Sequence, residues 1–287
     1  MSMIDGAMRN RFREDGVVFL KGALDSRSLA MAEEAYKWSL EHPSPAAATF
    51  PGKDSRAVFY QDLANPAAFP AYRQLLEQSA AADIAAELWD TSDVWFMYEQ
   101  VFLKEGGESR RTPWHQDSSY LPIDGEKIAV TWITFERVAK ENALEFVRGS
   151  HRGVLYNGSR FDPDDDTAPL YPGGELPRLP NIEAEREKWD IVSWAVEPGD
   201  VLVFHPAMLH GGAPTHPGIR RRTLSLRFFG NDAVYTPRSL INGQSSAQRI
   251  REPSESDTAR SVFVKLPEVL SPGDPFRHPD FPKLRPR

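Results

Sequence analysis

The chain has 287 residues, 40% of them hydrophobic and 11% aromatic, which is enough apolar material for a substantial core. A formal charge of −7 and a pI near 5.6 argue against a nucleic-acid partner, which requires a basic surface. The absence of cysteine excludes disulfides, thiolate metal sites and cysteine nucleophiles. Any metal site must therefore use nitrogen and oxygen ligands.

The sequence carries no signal for membrane insertion or export. It contains no run of about eighteen apolar residues, and its N-terminus lacks the charged-then-apolar order of a signal peptide. We therefore expect a cytoplasmic protein, monomeric or homodimeric, whose partner is a small molecule.

The N-terminal part of the chain predicts helices and one strand. The evidence is helix-forming composition, alanine and leucine at helical spacing, and turn residues between the segments. In chain order we predict a short helix and a strand within 7–23 that are separated at Asp15-Gly16, a helix from Leu24 to about His42 capped by Ser26, a loop over 43–56 and a helix within Pro70–Leu88.

After Trp89 the composition changes to β-branched and aromatic runs, which are typical of strands. Short strands separated by turn residues indicate a sandwich or jelly roll. The predicted strands are Val94–Lys104, Lys127–Phe135, Ala143–Val147, Trp189–Val196, Val201–Phe204 and Thr223–Phe229. Because helices come first and strands later, we predict a mainly β core with helices packed outside it.

No repeat or linker divides the chain, so we expect a single domain over 1–287. Residues 152–188 stand apart, with an acidic run at 162–166 followed by glycines and prolines. A long loop in a compact domain is usually a functional lid or disordered. A lid and a plain surface insertion are equally good interpretations here. The proline-rich tail, 266–287, is predicted to wrap the surface in extended form.

The strongest chemical signal is a His-X-Asp triplet, His115 and Asp117, in an aromatic stretch that follows the first long strand. Residues two apart on an extended backbone point to the same face, so this imidazole and carboxylate can converge. They are two of the three ligands in the facial triad of non-haem Fe(II) enzymes. Such a triplet is common by chance, so a third ligand is required.

Two histidines in the stretch 200–212 are candidates for that third ligand. His205 ends a predicted strand, and His210 precedes Gly211 and Gly212, where the backbone can approach a ligand closely because no Cβ intrudes. Either histidine is equally compatible with a core position and a hydrogen bond to a neighbour. The pattern alone leaves both candidates open.

Residues 221–228 alternate between a polar and a largely apolar face. If the polar face lines a pocket, its guanidinium and hydroxyl groups suit a carboxylate, because arginine presents paired donors. Periodicity does not decide which face points inward. The polar face holds Arg221, Thr223, Ser225 and Arg227, and the other holds Arg222, Leu224, Leu226 and Phe228.

With these motifs the chain resembles the phytanoyl-CoA dioxygenase family of Fe(II)- and 2-oxoglutarate-dependent oxygenases, from about Gly16 to about Phe229. The resemblance implies a double-stranded β-helix, a cupin-like jelly roll with flanking helices. It depends on the early Asp-Gly-Val-Val segment, the Pro-Trp-His-Gln-Asp-Ser-Ser-Tyr-Leu-Pro motif at 113–122, Trp132, Glu141-Asn142-Ala143-Leu144, Gly149-Ser150-His151, Gly199-Asp200, Leu209-His210-Gly211 and Arg221. One departure is Ala143, where the family often has glycine, which puts a turn in question.

The resemblance also assigns roles to individual residues. It implies that His115, Asp117 and His210 bind the iron and that Arg221 binds the distal carboxylate of 2-oxoglutarate. His205 then becomes a strand-end residue. Further co-substrate contacts are predicted at Gln100, Trp132 and Ser225.

The implied reaction consumes O2 and 2-oxoglutarate, releases succinate and CO2, and hydroxylates an unactivated C–H bond of a small or medium organic molecule. Retention of Asp117 favours hydroxylation over halogenation, since related halogenases replace this carboxylate. Desaturation and cyclisation use the same oxidant and remain alternatives. Two other classes compete: a non-catalytic jelly-roll binding protein, and a hydrolase or isomerase with the same ligands. The intact set of two histidines, aspartate and arginine argues against the binding protein, which would not need iron and co-substrate groups together. Arg221 argues against the hydrolase or isomerase, because only the 2-oxoglutarate mechanism needs its paired donors.

Aromatic residues near the triplet predict the lining of a substrate pocket, although core packing explains them equally well. Acyl-CoA is not favoured, because the chain shows little basic surface for its phosphates apart from Arg110-Arg111 and the arginine run at 220–222. The predicted pocket residues are Tyr98, Phe102, Trp114, Gln116 and Tyr120, with Trp95 as a further aromatic candidate.

Overall fold

Helices gather at the start of the chain and strands dominate the remainder in the computed structural model, which describes residues 4–51, 58–105, 111–162, 164–215, 218–238 and 262–286. The helices are α1 (Gly6–Asp15), α2 (Ser26–Glu41), α3 (Ala68–Gln78), α4 (Ala81–Trp89) and α5 (Val262–Val269). The strands are β1 (Val17–Leu20), β2 (Ala48–Pro51), β3 (Val58–Leu63), β4 (Val94–Glu105), β5 (Thr112–His115), β6 (Ile123–Asp124), β7 (Ile128–Thr134), β8 (Leu144–Val147), β9 (Ile191–Ser193), β10 (Val201–Phe204), β11 (His210–Gly212), β12 (Arg221–Phe229), β13 (Val234–Tyr235) and β14 (Lys283–Arg285).

The strands form a large and a small antiparallel sheet. The large sheet has the order β1-β10-β7-β12-β4-β3-β2, with β14 also paired to β4. The small sheet has the order β5-β11-β8-β9, and β13 pairs separately with β6. Strands that are distant in sequence alternate across both sheets, which is the connectivity of a jelly roll. The predicted double-stranded β-helix is confirmed.

The outer face of the large sheet packs against the N-terminal helices. One core cluster combines Tyr36 of α2 and Leu76 of α3 with Leu224, Leu226 and Phe228 of β12. The apolar face of β12 therefore points toward the helices. Because side chains alternate along a strand, the polar face of β12 points into the space between the two sheets.

The space between the sheets is apolar at one end. Trp132 of β7, Leu202 and Phe204 of β10, and Phe146 of β8 belong to a single buried cluster. These side chains join the large sheet to the small one, and they leave the interior beside β4 and β12 to polar groups.

Several local details differ from the sequence prediction. The cap of α2 is Asp25 rather than Ser26, because the Asp25 carboxylate accepts a hydrogen bond from the Ser28 amide at 2.7 Å. The helix predicted within Pro70–Leu88 is two helices that meet at Ser79 and Ala80. Ala143 has φ −86° and ψ 177°, a conformation that does not require glycine, so the turn in question forms with alanine.

Pairing with other strands explains the largest differences. The predicted loop at 43–56 contains β2, whose ladder partner β3 lies further along the chain. The predicted strand Trp189–Val196 pairs with β8 over Ile191–Ser193, and Val196 forms a separate isolated bridge with Val138. The tail is not extended throughout, since α5 ends at Val269 and β14 then joins β4.

Residues 152–188 pack against the small sheet over part of their length. Leu179 and Ile182 are buried in a cluster with Trp114 and Leu209, and Ile182–Lys188 forms 3-10 helical turns. This segment is therefore partly built into the core, which the loop prediction missed. Among the residues that the structure describes, no helix has the length and apolarity to cross a membrane.

Candidate metal centre

Strand pairing in the small sheet brings the first imidazole to the second. In the antiparallel register of β5 and β11, His115 lies directly opposite His210. A Cβ on Gly211 would lie 3.0 Å from the Thr112 carbonyl oxygen, so the glycine allows β11 to pack closely against β5. The sequence predicted that this glycine serves close approach, and the structure shows that the approaching group is a neighbouring strand.

The carboxylate joins the two imidazoles because the chain turns sharply after β5. Asp117 begins a 3-10 turn, Asp117–Ser119, which directs its side chain back toward β5. Its Oδ1 lies 3.4 Å from Nε2 of His115 and 3.9 Å from Nε2 of His210. One donor atom from each of the three residues lies within 4.8 Å of the others, and all three residues are buried.

Backbone carbonyls orient both imidazoles. Nδ1 of His115 lies 2.8 Å from the Pro113 carbonyl oxygen, and Nδ1 of His210 lies 2.9 Å from that of Met208. A carbonyl oxygen only accepts, so each Nδ1 carries the proton and each Nε2 presents its lone pair to the centre. Two such nitrogens and one carboxylate oxygen on a common point are the donor set of a non-haem Fe(II) site. The residues present therefore fit iron.

Electrostatics prepare these groups for a cation. Burial alone would raise the pKa of Asp117, but Arg227 and the two imidazoles outweigh burial and hold that pKa well below its usual value. Burial and the neighbouring His115 lower the pKa of His210 to about 4. At neutral pH the centre therefore offers a charged carboxylate and a neutral His210, the forms that bind a metal.

Arg227 holds the second oxygen of this carboxylate. Its Nη2 donates to Oδ2 of Asp117 at 2.8 Å and to Oε1 of Gln100 at 2.6 Å. Oδ1 of Asp117 is thereby left facing the imidazoles. The alternating pattern of β12 places Arg227 on its polar face. Nothing in the sequence links Arg227 to Asp117, because the two residues are 110 positions apart.

The three predicted co-substrate contacts form one row across the large sheet. Ser225 of β12 lies opposite Gln100 of β4 on one side and opposite Trp132 of β7 on the other. Cross-strand partners share a face of the sheet, so these side chains are neighbours in the interior. The structure brings together all three.

Arg221 lies at the end of the same interior face, beside a lysine that the sequence did not single out. Lys104 of β4 is its cross-strand partner. Arg221 donates to the Asn142 carbonyl oxygen, and Lys104 donates to the Thr112 hydroxyl at 3.3 Å. Burial lowers the pKa of Arg221 to about 10, and burial together with Arg221 and Arg111 lowers that of Lys104. Two cations directly opposite each other repel, so this pair suits an anion.

His205 lies outside the triad. Its Nδ1 accepts from the Ala207 amide at 3.1 Å, so Nε2 carries the proton and donates to the Gly125 carbonyl oxygen at 3.0 Å. Burial lowers its pKa to about 4. Both ring nitrogens are engaged with backbone groups, and the histidine that joins His115 and Asp117 is His210.

The predicted pocket residues separate into two groups. Tyr98 and Phe102 lie on the interior face of β4, opposite Arg227 and Thr223, and the Tyr120 ring lies 6.2 Å from the His115 ring.

The remaining candidates make contacts elsewhere. Trp114 packs on the other side of β5 and donates to Glu183 at 3.0 Å. Gln116 hydrogen bonds to Val154, Tyr156 and Ala207. Trp95 stacks on Phe229 at 5.8 Å.

Phe161, an aromatic residue of the 152–188 segment that was not among the predicted pocket residues, lies next to the metal centre. The Phe161 ring lies 5.5 Å from the His115 ring and 6.5 Å from the Tyr120 ring. Phe161 is 40% exposed and has φ +56°, which is uncommon for a residue with a side chain. Its sequence position in an acidic, proline-rich run gave no sign of this contact.

Comparisons with solved structures agree with this architecture. The chain has a TM-score of 0.67 and 20% identity to the epimerase SnoN in complex with Fe3+, alpha ketoglutarate and nogalamycin RO, with 97% of this chain and 98% of that chain covered. It has a TM-score of 0.67 and 19% identity to the alpha ketoglutarate dependent carbocyclase SnoK from nogalamycin biosynthesis, with 98% and 96% covered. At these identities the likeness concerns the fold.

Sequence relatives place the chain more narrowly. It is 29% identical over 132 residues to the human peroxisomal phytanoyl-CoA dioxygenase, which covers 45% of this chain and 37% of that protein. The chain thus matches less than half the length of this relative. The family model for phytanoyl-CoA dioxygenase (PhyH) matches residues 12–223. The family and the buried triad agree on iron and 2-oxoglutarate as the cofactors. The chain belongs to the phytanoyl-CoA dioxygenase family.

Proposed function

We propose that this protein is an Fe(II)- and 2-oxoglutarate-dependent dioxygenase that hydroxylates a C–H bond of a small or medium organic molecule. The observation that carries the proposal is the convergence of two inward-facing Nε2 atoms and one carboxylate oxygen at a buried point. His115, Asp117 and His210 would hold the metal. Bound there, iron and 2-oxoglutarate supply oxidative decarboxylation with O2, which yields succinate, CO2 and an oxidant for the substrate.

The buried cations on β4 and β12 support 2-oxoglutarate as the co-substrate. We assign the distal carboxylate to Arg221 and Lys104. Lys104 reaches Thr112, which pairs with Gly212, two residues along β11 from His210. Two residues of strand span roughly 7 Å, about the length of a five-carbon dicarboxylate. A 2-oxoglutarate that reaches from the metal to these cations would pass the Gln100, Trp132 and Ser225 row.

The protein's own contribution is to fix groups and exclude water. Carbonyls hold the imidazoles in one tautomer, and Arg227 holds Asp117 in one orientation. Preorganised ligands of this kind do not need to reorganise when the metal and co-substrate bind. The low exposure of all three ligands limits access of water to the reacting groups.

Hydroxylation is favoured by the retained carboxylate ligand, since Asp117 occupies the position that a halide would need. A second outcome from the same oxidant is rearrangement without net hydroxylation. The observation that favours it is the fold-level likeness to proteins described as an epimerase and a carbocyclase. Product analysis by mass decides between them, because hydroxylation adds one oxygen atom and epimerisation or ring closure adds none.

We further propose that residues 152–188 act as a lid. Phe161 overlies His115, and its backbone conformation is one that folded proteins keep mainly where the surroundings enforce it. The start of the segment is anchored to residues next to the triad: Ser119 donates to the Tyr156 carbonyl oxygen at 2.7 Å. An apolar ring at this place would close the entrance over the metal.

The test of the proposed activity is the formation of succinate from 2-oxoglutarate in air. With Fe(II) and a screen of candidate substrates, the wild-type protein should form succinate, and His115→Ala should abolish it because one metal ligand is lost. His42→Ala is the matched control: His42 is exposed at the C-terminal end of α2, and its variant should retain full activity. Absence of succinate from the wild-type protein under every condition would refute the proposal.

A further inference from the structure

Arg227 is held at the metal centre by contacts on one nitrogen and one ring face. Nη2 alone serves both Asp117 and Gln100, and the guanidinium carbon lies 4.5 Å above the Tyr98 ring. The residue is 4% exposed. Its position is therefore fixed, but only part of its hydrogen-bonding capacity is used.

The other two nitrogens of Arg227 have no acceptor. Nε and Nη1 are fully buried and make no hydrogen bond in the part of the chain that the structure describes. Buried donors are rarely left unpaired in folded proteins, least of all on a charged group. Arg238, another buried arginine, provides the contrast, since all three of its nitrogens donate to carbonyl or carboxylate oxygens. Among the described residues, Arg111 and Arg285 each leave one buried nitrogen without an acceptor, whereas Arg227 leaves two.

Both free donors lie beside the metal site. They belong to the same guanidinium as Nη2, which contacts the carboxylate of a metal ligand, so an acceptor for them would lie close to the metal centre. Arg221 does not share this place: six residues of strand separate the two arginines, roughly 20 Å between their Cα atoms. The positive charges of the Arg227 guanidinium and a divalent metal together exceed the single negative charge of Asp117. The expected acceptor is therefore an anion.

We infer that Nε and Nη1 of Arg227 form a second carboxylate site, distinct from that at Arg221. The inference rests on the proposed function. The carboxylate has two sources: the keto-acid end of 2-oxoglutarate, or a carboxylate carried by the prime substrate. In both cases Arg227 binds an oxygen of a carboxylate that lies at the metal, in addition to positioning Asp117.

The test compares Arg227→Lys and Arg227→Met with Arg222→Lys. Arg222 lies on the opposite face of β12 and pairs with Glu33 and Glu136, so its variant controls for the loss of a guanidinium from this strand. Lysine at 227 keeps the charge beside Asp117 and removes the additional donors. Each variant is first checked for folding by circular dichroism and for metal affinity by titration with Mn(II).

Two binding measurements then distinguish the sources. The first is the anaerobic Fe(II)–2-oxoglutarate charge-transfer band, titrated with 2-oxoglutarate. The second is the change of that band when benzoate or 3-phenylpropionate is added, with benzamide and 3-phenylpropionamide as uncharged controls. Loss of a hydrogen bond to a charged group should weaken binding about tenfold or more.

A keto-acid source predicts that Arg227→Lys weakens 2-oxoglutarate about tenfold with Mn(II) affinity changed far less. If the carboxylate comes from the prime substrate, Arg227→Lys should leave the 2-oxoglutarate affinity unchanged. The band of the wild type should then respond to the carboxylates but not to the amides, and the band of the variant should respond to neither. The inference is overturned if 2-oxoglutarate affinity is unchanged and no carboxylate-specific response exists. It is also overturned if the losses of 2-oxoglutarate affinity and of the carboxylate response are no larger than the loss of Mn(II) affinity. Arg227 would then act only through Asp117. A wild-type protein without the band would instead refute the proposed function, and the inference with it.

Discussion

Asp117 shows how neighbouring side chains set the state of one carboxylate. Burial favours its neutral form, and the positive charge of Arg227 favours the ionised form more strongly, so the pKa lies below its usual value. The same guanidinium occupies Oδ2 and leaves Oδ1 to the imidazoles. One contact therefore determines both the charge and the orientation of the proposed metal ligand.

Glu99 provides a prediction about pH and stability. Burial raises its pKa to about 8, above the ordinary carboxyl value, so the folded state binds a proton that the unfolded state releases. The resulting stability is fully present at acidic pH and is lost as pH rises through the folded-state pKa. From about pH 7 to pH 9 the free energy of unfolding should fall by about 1 kcal/mol more in the wild type than in Glu99→Gln.

Urea unfolding of both proteins at the two pH values measures this difference. The glutamine oxygen can still accept from the Asn65 amide, which donates to Glu99 at 2.8 Å, so the substitution keeps that hydrogen bond. Identical pH dependence in the two proteins would show that Glu99 is already ionised in the folded state.

Lys104 provides a prediction about co-substrate affinity. If Lys104 and Arg221 share the distal carboxylate of 2-oxoglutarate, Lys104→Met should weaken 2-oxoglutarate binding about tenfold and leave Mn(II) affinity unchanged. The 2-oxoglutarate affinity of the wild type should also fall at alkaline pH. Because the pKa of Lys104 is lowered, its ammonium group loses its charge at a pH closer to 7 than an exposed lysine does. Calorimetric titration measures both effects, with the exposed Lys37→Met as control. Equal affinities for Lys104→Met and wild type would remove Lys104 from the co-substrate site.

At the residue scale, the sequence predicted the metal ligands more completely than it predicted the side chains that surround them. His115, Asp117 and His210 were identified as a set from family order, and the structure places them together. Lys104 was missed because its significance depends on the strand opposite it. Phe161 was missed because its contact with His115 depends on how a long insertion folds back.

At the scale of elements, β12 connects the helical layer to the site. Its apolar side chains pack beneath the helices, while Arg221, Ser225 and Arg227 face inward. The period-two pattern of this strand was legible in the sequence. The sequence did not show which face packs against the helices and which faces the pocket. Both faces are inaccessible to solvent, and only the position of the small sheet distinguishes them.

The insertion provides a prediction at this scale. The Tyr120 hydroxyl accepts from the Ser159 amide at 2.7 Å and donates to the Ser159 carbonyl oxygen at 3.0 Å. Tyr120→Phe removes both hydrogen bonds, which should cost about 1–3 kcal/mol of local stability. Amide hydrogen exchange of the segment around Ser159 should therefore become faster, while the hydrogen bonds that orient His115 and His210 remain.

Tyr60→Phe is the matched control for this experiment. The Tyr60 hydroxyl is buried and makes no hydrogen bond in the described residues, so its removal should leave exchange around Ser159 unchanged. If Tyr120→Phe exchanges like the wild type, the anchoring of the insertion does not depend on this hydroxyl.

At the scale of the whole molecule, the order of helices and strands predicted a sandwich or jelly roll with helices outside it, and the family resemblance implied the double-stranded β-helix. The element bounds that failed are those fixed by pairing with another strand: β2 with the next strand β3, and β9 and β14 with the more distant β8 and β4. Short strands of two to four residues carry too little local pattern to be recognised without their partners. The interior is divided into an apolar end and a polar end, and this division locates the site.

The anaerobic spectrum of the protein with Fe(II) and 2-oxoglutarate tests whether His115, Asp117 and His210 hold an iron to which 2-oxoglutarate binds. We expect a weak visible charge-transfer band from the iron–2-oxoglutarate chelate in the wild type and in His205→Ala, and its loss in His210→Ala. His205 is the matched control because it is a partly buried histidine of the same segment whose two nitrogens are hydrogen bonded to backbone groups. No band in the wild type, or a band that survives in His210→Ala and disappears in His205→Ala, would contradict this assignment of the metal ligands.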